Sequence, residues 1–276
     1  MEIFDLEFMR RAFIAGLLVG AVCPALGTFL VLQRLSLIAD SLSHVALAGV
    51  AIGLLTRVYP PLTALGASVL AAAGIQYFRA SGRLYGEAAL ALSLYTGLGL
   101  AVILISLARG FNVDLFSYLF GSILSVRDVD LALIGTLAAV IVGFVVLFYQ
   151  ELVQATFDQD LAKVSGVHVG RVNLLLAVLT AATVTLAMRV VGVLLVGALM
   201  VIPVLASLQV VRGFRATIFL SMGIGVLSVL VGLFAAYYAG IAASGAIVLA
   251  SLTVLGIVSL LKNTVLQRRG AKPSLS

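Results

Sequence analysis

Two side chains in the stretch 35–53, LSLIADSLSHVALAGVAIG, are of types that hold metal ions: Asp40 and His44. Their i, i+4 spacing places them on one helix face, where a carboxylate oxygen and an imidazole nitrogen can converge on one cation. Both are acceptable ligands for zinc and for manganese. The run around them is apolar, and an aspartate at the centre of a membrane-spanning helix costs about 2.5–3.5 kcal/mol on insertion scales. Asp40 therefore needs a reason to be there. Two ligands do not complete a tetrahedral or octahedral shell, but a two-fold symmetric dimer with this helix near its axis would supply four. Ser41, Ala48, Gly49 and Gly53 keep the helix slim, and Gly49 to Gly53 is a G-x-x-x-G that permits close helix approach. The plainer alternative is that Asp40 caps or flanks the helix while His44 hydrogen-bonds a neighbour, and spacing alone leaves both open.

The remaining chemistry-bearing residues carry less. His168, the second of two histidines, lies in a polar connection and reads as a surface residue. Glu87 stands four residues from Arg83, the spacing of a flanking ion pair. Asp114, Asp128 and Asp130 lie on the external side, solvated or available to a partner. Cys23 is alone, so no internal disulfide or C-x-x-C site can form. Ser41 and Ser43 neighbour His44, but nothing marks the base on a second helix and the oxyanion hole that serine catalysis needs. None of the three lysines sits in a G-x-x-x-x-G-K-[ST] loop. The chain thus lacks the P-loop route to ATP hydrolysis, and ATP-driven transport would need another subunit. Pro24 and Pro203 each remove a backbone hydrogen bond within an apolar run, giving a kink or the flexible point of a gate.

The elements that must position these residues follow from composition. The chain of 276 residues is 63% apolar and 10% charged, with a mean hydropathy of +1.24. Apolar runs near the ~20 residues that cross a bilayer cover 12–32, 39–55, 60–78, 88–108, 129–149, 172–188, 191–211, 216–238 and 244–261. Eight or nine of these should cross, because the second is short and the sixth and seventh nearly fuse around Arg189. Backbone groups in lipid must be satisfied internally and no barrel-like alternation is present, so the spans are helices. The expected architecture is all-α, one polytopic membrane domain over 1–276. The first run is too long for a signal-peptide core and has no clear cleavage site.

The net charge of +6 comes from residues scattered in ones and twos, the pattern of span-flanking charges rather than of a nucleic-acid-binding face. Counted over nine spans, eleven of the 17 Lys and Arg fall on the side of the connection 150–171. The positive-inside rule then gives a cytoplasmic C-terminus and an external N-terminus.

Two connections are more than loops. FNVDLFSYLFGSILSV, 111–126, is apolar and aromatic but broken by Asn112 and Asp114, and reads as an external re-entrant or interfacial helix. In QELVQATFDQDLAKVSGVHVGR, 150–171, Phe157, Leu161 and Val164 recur at helical spacing, with Asp158 and Asp160 near the start and Gly166 beyond the end. Those are the cues of a short capped helix. Its apolar stripe would lie on the protein itself, on the lipid surface, or in a soluble partner.

The segments RLSLIADSLSHVALAGVAIG, VDLFSYLFGSIL, FDQDLAKVSGVHVGRVN, VGVLLVGALMVIPVLAS and SGAIVLASL, in that order along nearly the whole chain, resemble the membrane subunit of the ABC importers for zinc and manganese. That family includes the bacterial zinc-uptake permeases. The resemblance implies the compact, many-helix type II importer architecture and a homodimeric permease in the cytoplasmic membrane of a bacterium. It further implies two cytoplasmic ABC ATPase subunits as partners and an external metal-binding protein that delivers Zn²⁺ or Mn²⁺, with no resident cofactor and no enzymatic activity in this subunit. Asp40 and His44 match the family's metal-coordinating pair, and the segment containing Asp158, Leu161, Val164 and Gly166 matches its ATPase-coupling region within 157–170. Some zinc-type relatives carry further histidines in the fourth span, whereas ALALSLYTGLG here has none. Two other transporter classes compete. An importer of chelated iron or a corrinoid would need a wide pathway without protein ligands, and an ion-coupled secondary transporter usually carries more intramembrane carboxylates and an internal repeat.

Overall fold

A computed structural model describes residues 7–82, 85–107, 118–121, 127–193 and 195–270. They form eleven helices: α1 (Glu7–Leu32), α2 (Ile38–Thr56), α3 (Pro60–Ala80), α4 (Gly86–Leu107), α5 (Asp128–Leu147), α6 (Tyr149–Phe157), α7 (Gln159–Val164), α8 (Val169–Val191), α9 (Val196–Val210), α10 (Phe214–Ala239) and α11 (Ala243–Gly270). A helical turn at 118–120 adds to them, and there is no strand among the described residues. Eight of the helices are long and apolar enough to cross a membrane, and α9 is a shorter apolar helix. The protein is a multi-pass, all-α membrane protein.

The helices differ in what they face. Most of α1, α2 and α8 is buried, and Leu26, Phe29 and Leu30 of α1 form a fully enclosed centre with Met188, Leu199 and Met200. By contrast α4 exposes Leu92, Tyr95, Val102 and Ile103, the apolar surface of a helix at the edge of the bundle. Apolar burial does not distinguish helix from lipid in a bilayer, so close backbone approach carries much of the association. A side chain at Gly27 would strike the carbonyl of Met200, fixing α1 on α9. Gly49 and Gly53 of α2 are covered by Ala64, Thr63 and Pro60 of α3. The G-x-x-x-G face is therefore used inside the chain.

Pro24 and Pro203 both lie inside uninterrupted helices. Pro24 leaves the carbonyl of Gly20 without its helical donor, and that oxygen lies where a Cβ on Gly225 of α10 would be. The proline thus joins two helices without ending either.

The seventh apolar run is where structure and sequence part. Val191 closes α8, Gly192 turns at φ 90, and α9 begins only at Val196. Gly192 abuts the backbone of 119–121, and Val193 N–H donates to the carbonyl of Tyr118 at 2.9 Å. An apolar run does not reveal a break made by one glycine in a left-handed conformation. The rest of the connection 111–126 lies outside the described residues, as do Asp114 and Arg83, the expected partner of Glu87.

The chain ends of the helices sort into two sets. Arg11 Nε to Asp128 Oδ1, 2.7 Å, joins the start of α1 to the start of α5. At the same end Asp130 pairs with Arg189 at the end of α8. Tyr59, before α3, accepts from Arg127 at 3.3 Å and from Arg189 at 3.5 Å. Gln33, after α1, donates to Thr156 of α6 at 3.3 Å at the opposite end. Phe214, the first residue of α10, contacts Tyr149 and Phe157 at that opposite end, so α9 runs between the end that bears Arg189 and the end that bears Thr156. Asp130 departs from the expectation of a solvated acid: it is 3% exposed. Its Oδ2 accepts from Arg127 N at 3.0 Å, and Arg189 donates to Oδ1, so its neighbours replace water.

Candidate metal site

Asp40 and His44 occupy the first two turns of α2, which lie partly inside the bundle. The α1–α2 connection folds inward, with Leu35 N–H donating to Leu30 O at 2.7 Å, and Leu35 and Ile38 are buried. Ser41 Oγ donates to the carbonyl of Leu90 at 2.8 Å and takes up one face with α4. Gly97 of α4 abuts the backbone at His44 and Val45. Gly49 and Gly53 take up the α3 face, which leaves Asp40 toward the start of α9. There Gly197 has no side chain, and a Cβ on it would collide with the Asp40 carboxylate. Gly197 is part of the site that sequence reasoning missed; its only signal was a glycine within an apolar run.

Both side chains are half-buried, and neither is occupied as the plainer alternative required. The residue preceding α2 is Leu37, and no side chain caps the helix. Among the described residues the Asp40 carboxylate has no ion pair or hydrogen bond, and Nδ1 of His44 is buried without a partner. An acceptor oxygen and an unpartnered imidazole nitrogen one turn apart can donate two ligands to a divalent cation. No cluster of three or more His, Cys, Asp or Glu exists among the described residues. A complete shell would take water, backbone or a second copy of the chain.

The polar connection carries the second candidate feature. Asp158 Oδ1 accepts from Asp160 N and Leu161 N, each at 3.0 Å, and so caps α7. At the far end Gly166 adopts φ 86, and Val167 N donates back to Ala162 O at 3.0 Å, closing the helix as a glycine terminator does. Ala162 points inward, while Phe157, Leu161 and Val164 are 68%, 64% and 87% exposed. Among the described residues Phe157 makes one ring contact, 5.8 Å from Phe214, and the rest of the stripe faces outward. His168 is exposed at the start of α8.

A family model described as the ABC 3 transport family matches residues 5–263. The chain is 34% identical to the "Probable metal transport system membrane protein" of Treponema pallidum, over 91% of this chain and 94% of that one. It is 28% identical to the high-affinity zinc uptake system membrane protein ZnuB of Haemophilus influenzae, over 93% and 98%. To the manganese import system permease protein ScaB of Streptococcus gordonii it is 30% identical, over 90% and 88%. Among solved structures, PsaBC from Streptococcus pneumoniae in complex with Fab superposes with a TM-score of 0.83 at 31% identity, covering 93% of this chain and 94% of that one. The match spans the helices that carry Asp40, His44 and Gly197, and the chain belongs to the ABC 3 transport family.

Proposed function

We infer that the chain is the permease subunit of an ATP-driven importer for Zn²⁺ or Mn²⁺ in the cytoplasmic membrane of a bacterium. The support is twofold: relatives named for zinc and for manganese transport, and a buried imidazole nitrogen of His44 without a hydrogen-bond partner, one turn from a carboxylate that lies against a glycine. The second observation carries the reading. A buried acceptor without a donor is a standing cost in a bundle, and a transiting divalent cation removes it. Asp40 and His44 contribute two ligands, and the same pair from a second permease completes the shell at a two-fold axis. An external binding protein delivers the ion to the end bearing Asp128 and Asp130. Two ATPase subunits dock at the opposite end on the exposed stripe of α7, where Asp158 and Gly166 fix the helix and Leu161 and Val164 supply its contact. Pro24 and Pro203 lie in the helices beside the pathway, and Pro203 is the point at which α9 can bend to gate it.

Metal-resolved uptake by the reconstituted complex tests this. Asp40→Ala and His44→Ala each abolish accumulation of Zn²⁺ and Mn²⁺ while the permease still co-purifies with its ATPase. Normal uptake in either variant contradicts the site. Leu161→Asp does the converse, losing the ATPase from the purified complex, and full co-purification contradicts the docking role.

A further inference from the structure

At the end of the bundle that carries α6 and α7, a groove of about 500 Å³ opens between the end of α5, the start of α6 and the start of α10. Its two walls change character at one level. On α10, Phe219 stands four residues beyond Arg215, on the same helix face and roughly 6 Å deeper at 1.5 Å per residue. Across the groove, Val146 and Leu147 end the apolar stretch of α5 and Gln150 follows. Phe219, Val146 and Leu147 are all strongly exposed.

The cationic lip is built, and among the described residues no carboxylate pairs with it. The Arg215 guanidinium lies over the Tyr149 ring, 4.9 Å from its centre, which holds the charge at the groove mouth. Glu151 also lines the groove, but among the described residues no ion pair joins it to Arg215. Arg212, exposed in the connection before α10, adds a second positive charge nearby.

An apolar slot topped by an arginine, at the level where membrane helices give way to polar chain, matches one kind of molecule. We propose that this groove is a binding site for an anionic glycerophospholipid, its acyl chains along Phe219 and Val146 and its phosphate on Arg215. Apolar side chains alone would take any lipid; Arg215 supplies the preference for negative headgroups.

Native mass spectrometry of the full chain tests the site, with phosphatidylglycerol, phosphatidylcholine of the same acyl chains, or glycerol 3-phosphate. The wild-type protein retains phosphatidylglycerol roughly fivefold better than phosphatidylcholine, the factor one basic residue contributes at an anionic surface, and does not retain glycerol 3-phosphate. Arg215→Gln brings phosphatidylglycerol down to the phosphatidylcholine level, whereas Arg171→Gln, at an exposed cation outside the groove, leaves the preference intact. Equal retention of the two lipids by the wild-type protein overturns the proposal without need of any variant. So does an unchanged preference in Arg215→Gln. Retention of glycerol 3-phosphate to the same extent as the lipid would make this a soluble phosphate site and overturn it as well.

Discussion

Asp130 and Asp40 are both aspartates set among apolar helices, and the protein surrounds them in opposite ways. Asp130 at the start of α5 is met by Arg189 and by the backbone of Arg127, with Tyr59 bridging both arginines. Asp40 at the start of α2 has no such neighbour among the described residues, and the helix opposite presents a glycine against its carboxylate. A paired buried acid locks helices together; an unpaired one keeps its oxygens available. Arg189 ends α8 just before the Gly192 break, so the Asp130 pair fixes the helix junction that leads to Gly197.

The comparison can be broken at several points. The largest effect belongs to Gly197→Leu, which fills the space of the Asp40 carboxylate; metal uptake falls more than tenfold, with permease still inserted and bound to its ATPase. Retained uptake in that variant would mean that Asp40 does not need this space. Next is Asp130→Ala, which leaves Arg189 buried without its counter-charge and lowers stability by on the order of 3–5 kcal/mol, read as a drop in melting temperature. Asp130→Leu combined with Arg189→Met recovers most of that loss, because an apolar pair of similar size replaces both charges. If the double variant melts as low as the single one, the pair does more than satisfy charge. Asp158 is the solvated reference among the aspartates: Asp158→Ala removes a helix cap worth about 1 kcal/mol, visible as faster amide exchange at Asp160 and Leu161 with the bundle unchanged.

Much of this was legible in the residues themselves. Apolar runs near span length located the helices, since a bilayer permits little else. The cap at Asp158 and the terminator at Gly166 marked α7, because local hydrogen bonds of that kind are written in adjacent positions. Asp40 and His44 were visible for the same reason: four residues apart, they share a face on any helix. What could not be read were relations between distant positions. Nothing near Asp130 announces Arg189, 59 residues on, and Asp128 and Asp130 looked alike although the second is buried and the first exposed. Gly197 resembled any other glycine in a span until α9 was seen to begin beside α2. The same limit hid the break at Gly192, whose backbone partners lie at 118–121.

The chain has two histidines, His44 and His168, which makes the central claim open to one spectroscopic measurement. Electron spin-echo modulation of Mn²⁺ bound to the complex, with ¹⁵N-histidine in the permease alone, reports whether a permease imidazole ligates the ion. A ¹⁵N coupling that persists in His168→Ala and vanishes in His44→Ala is the result predicted here. A coupling that survives in His44→Ala, or none in the wild-type protein with Mn²⁺ bound, would contradict it.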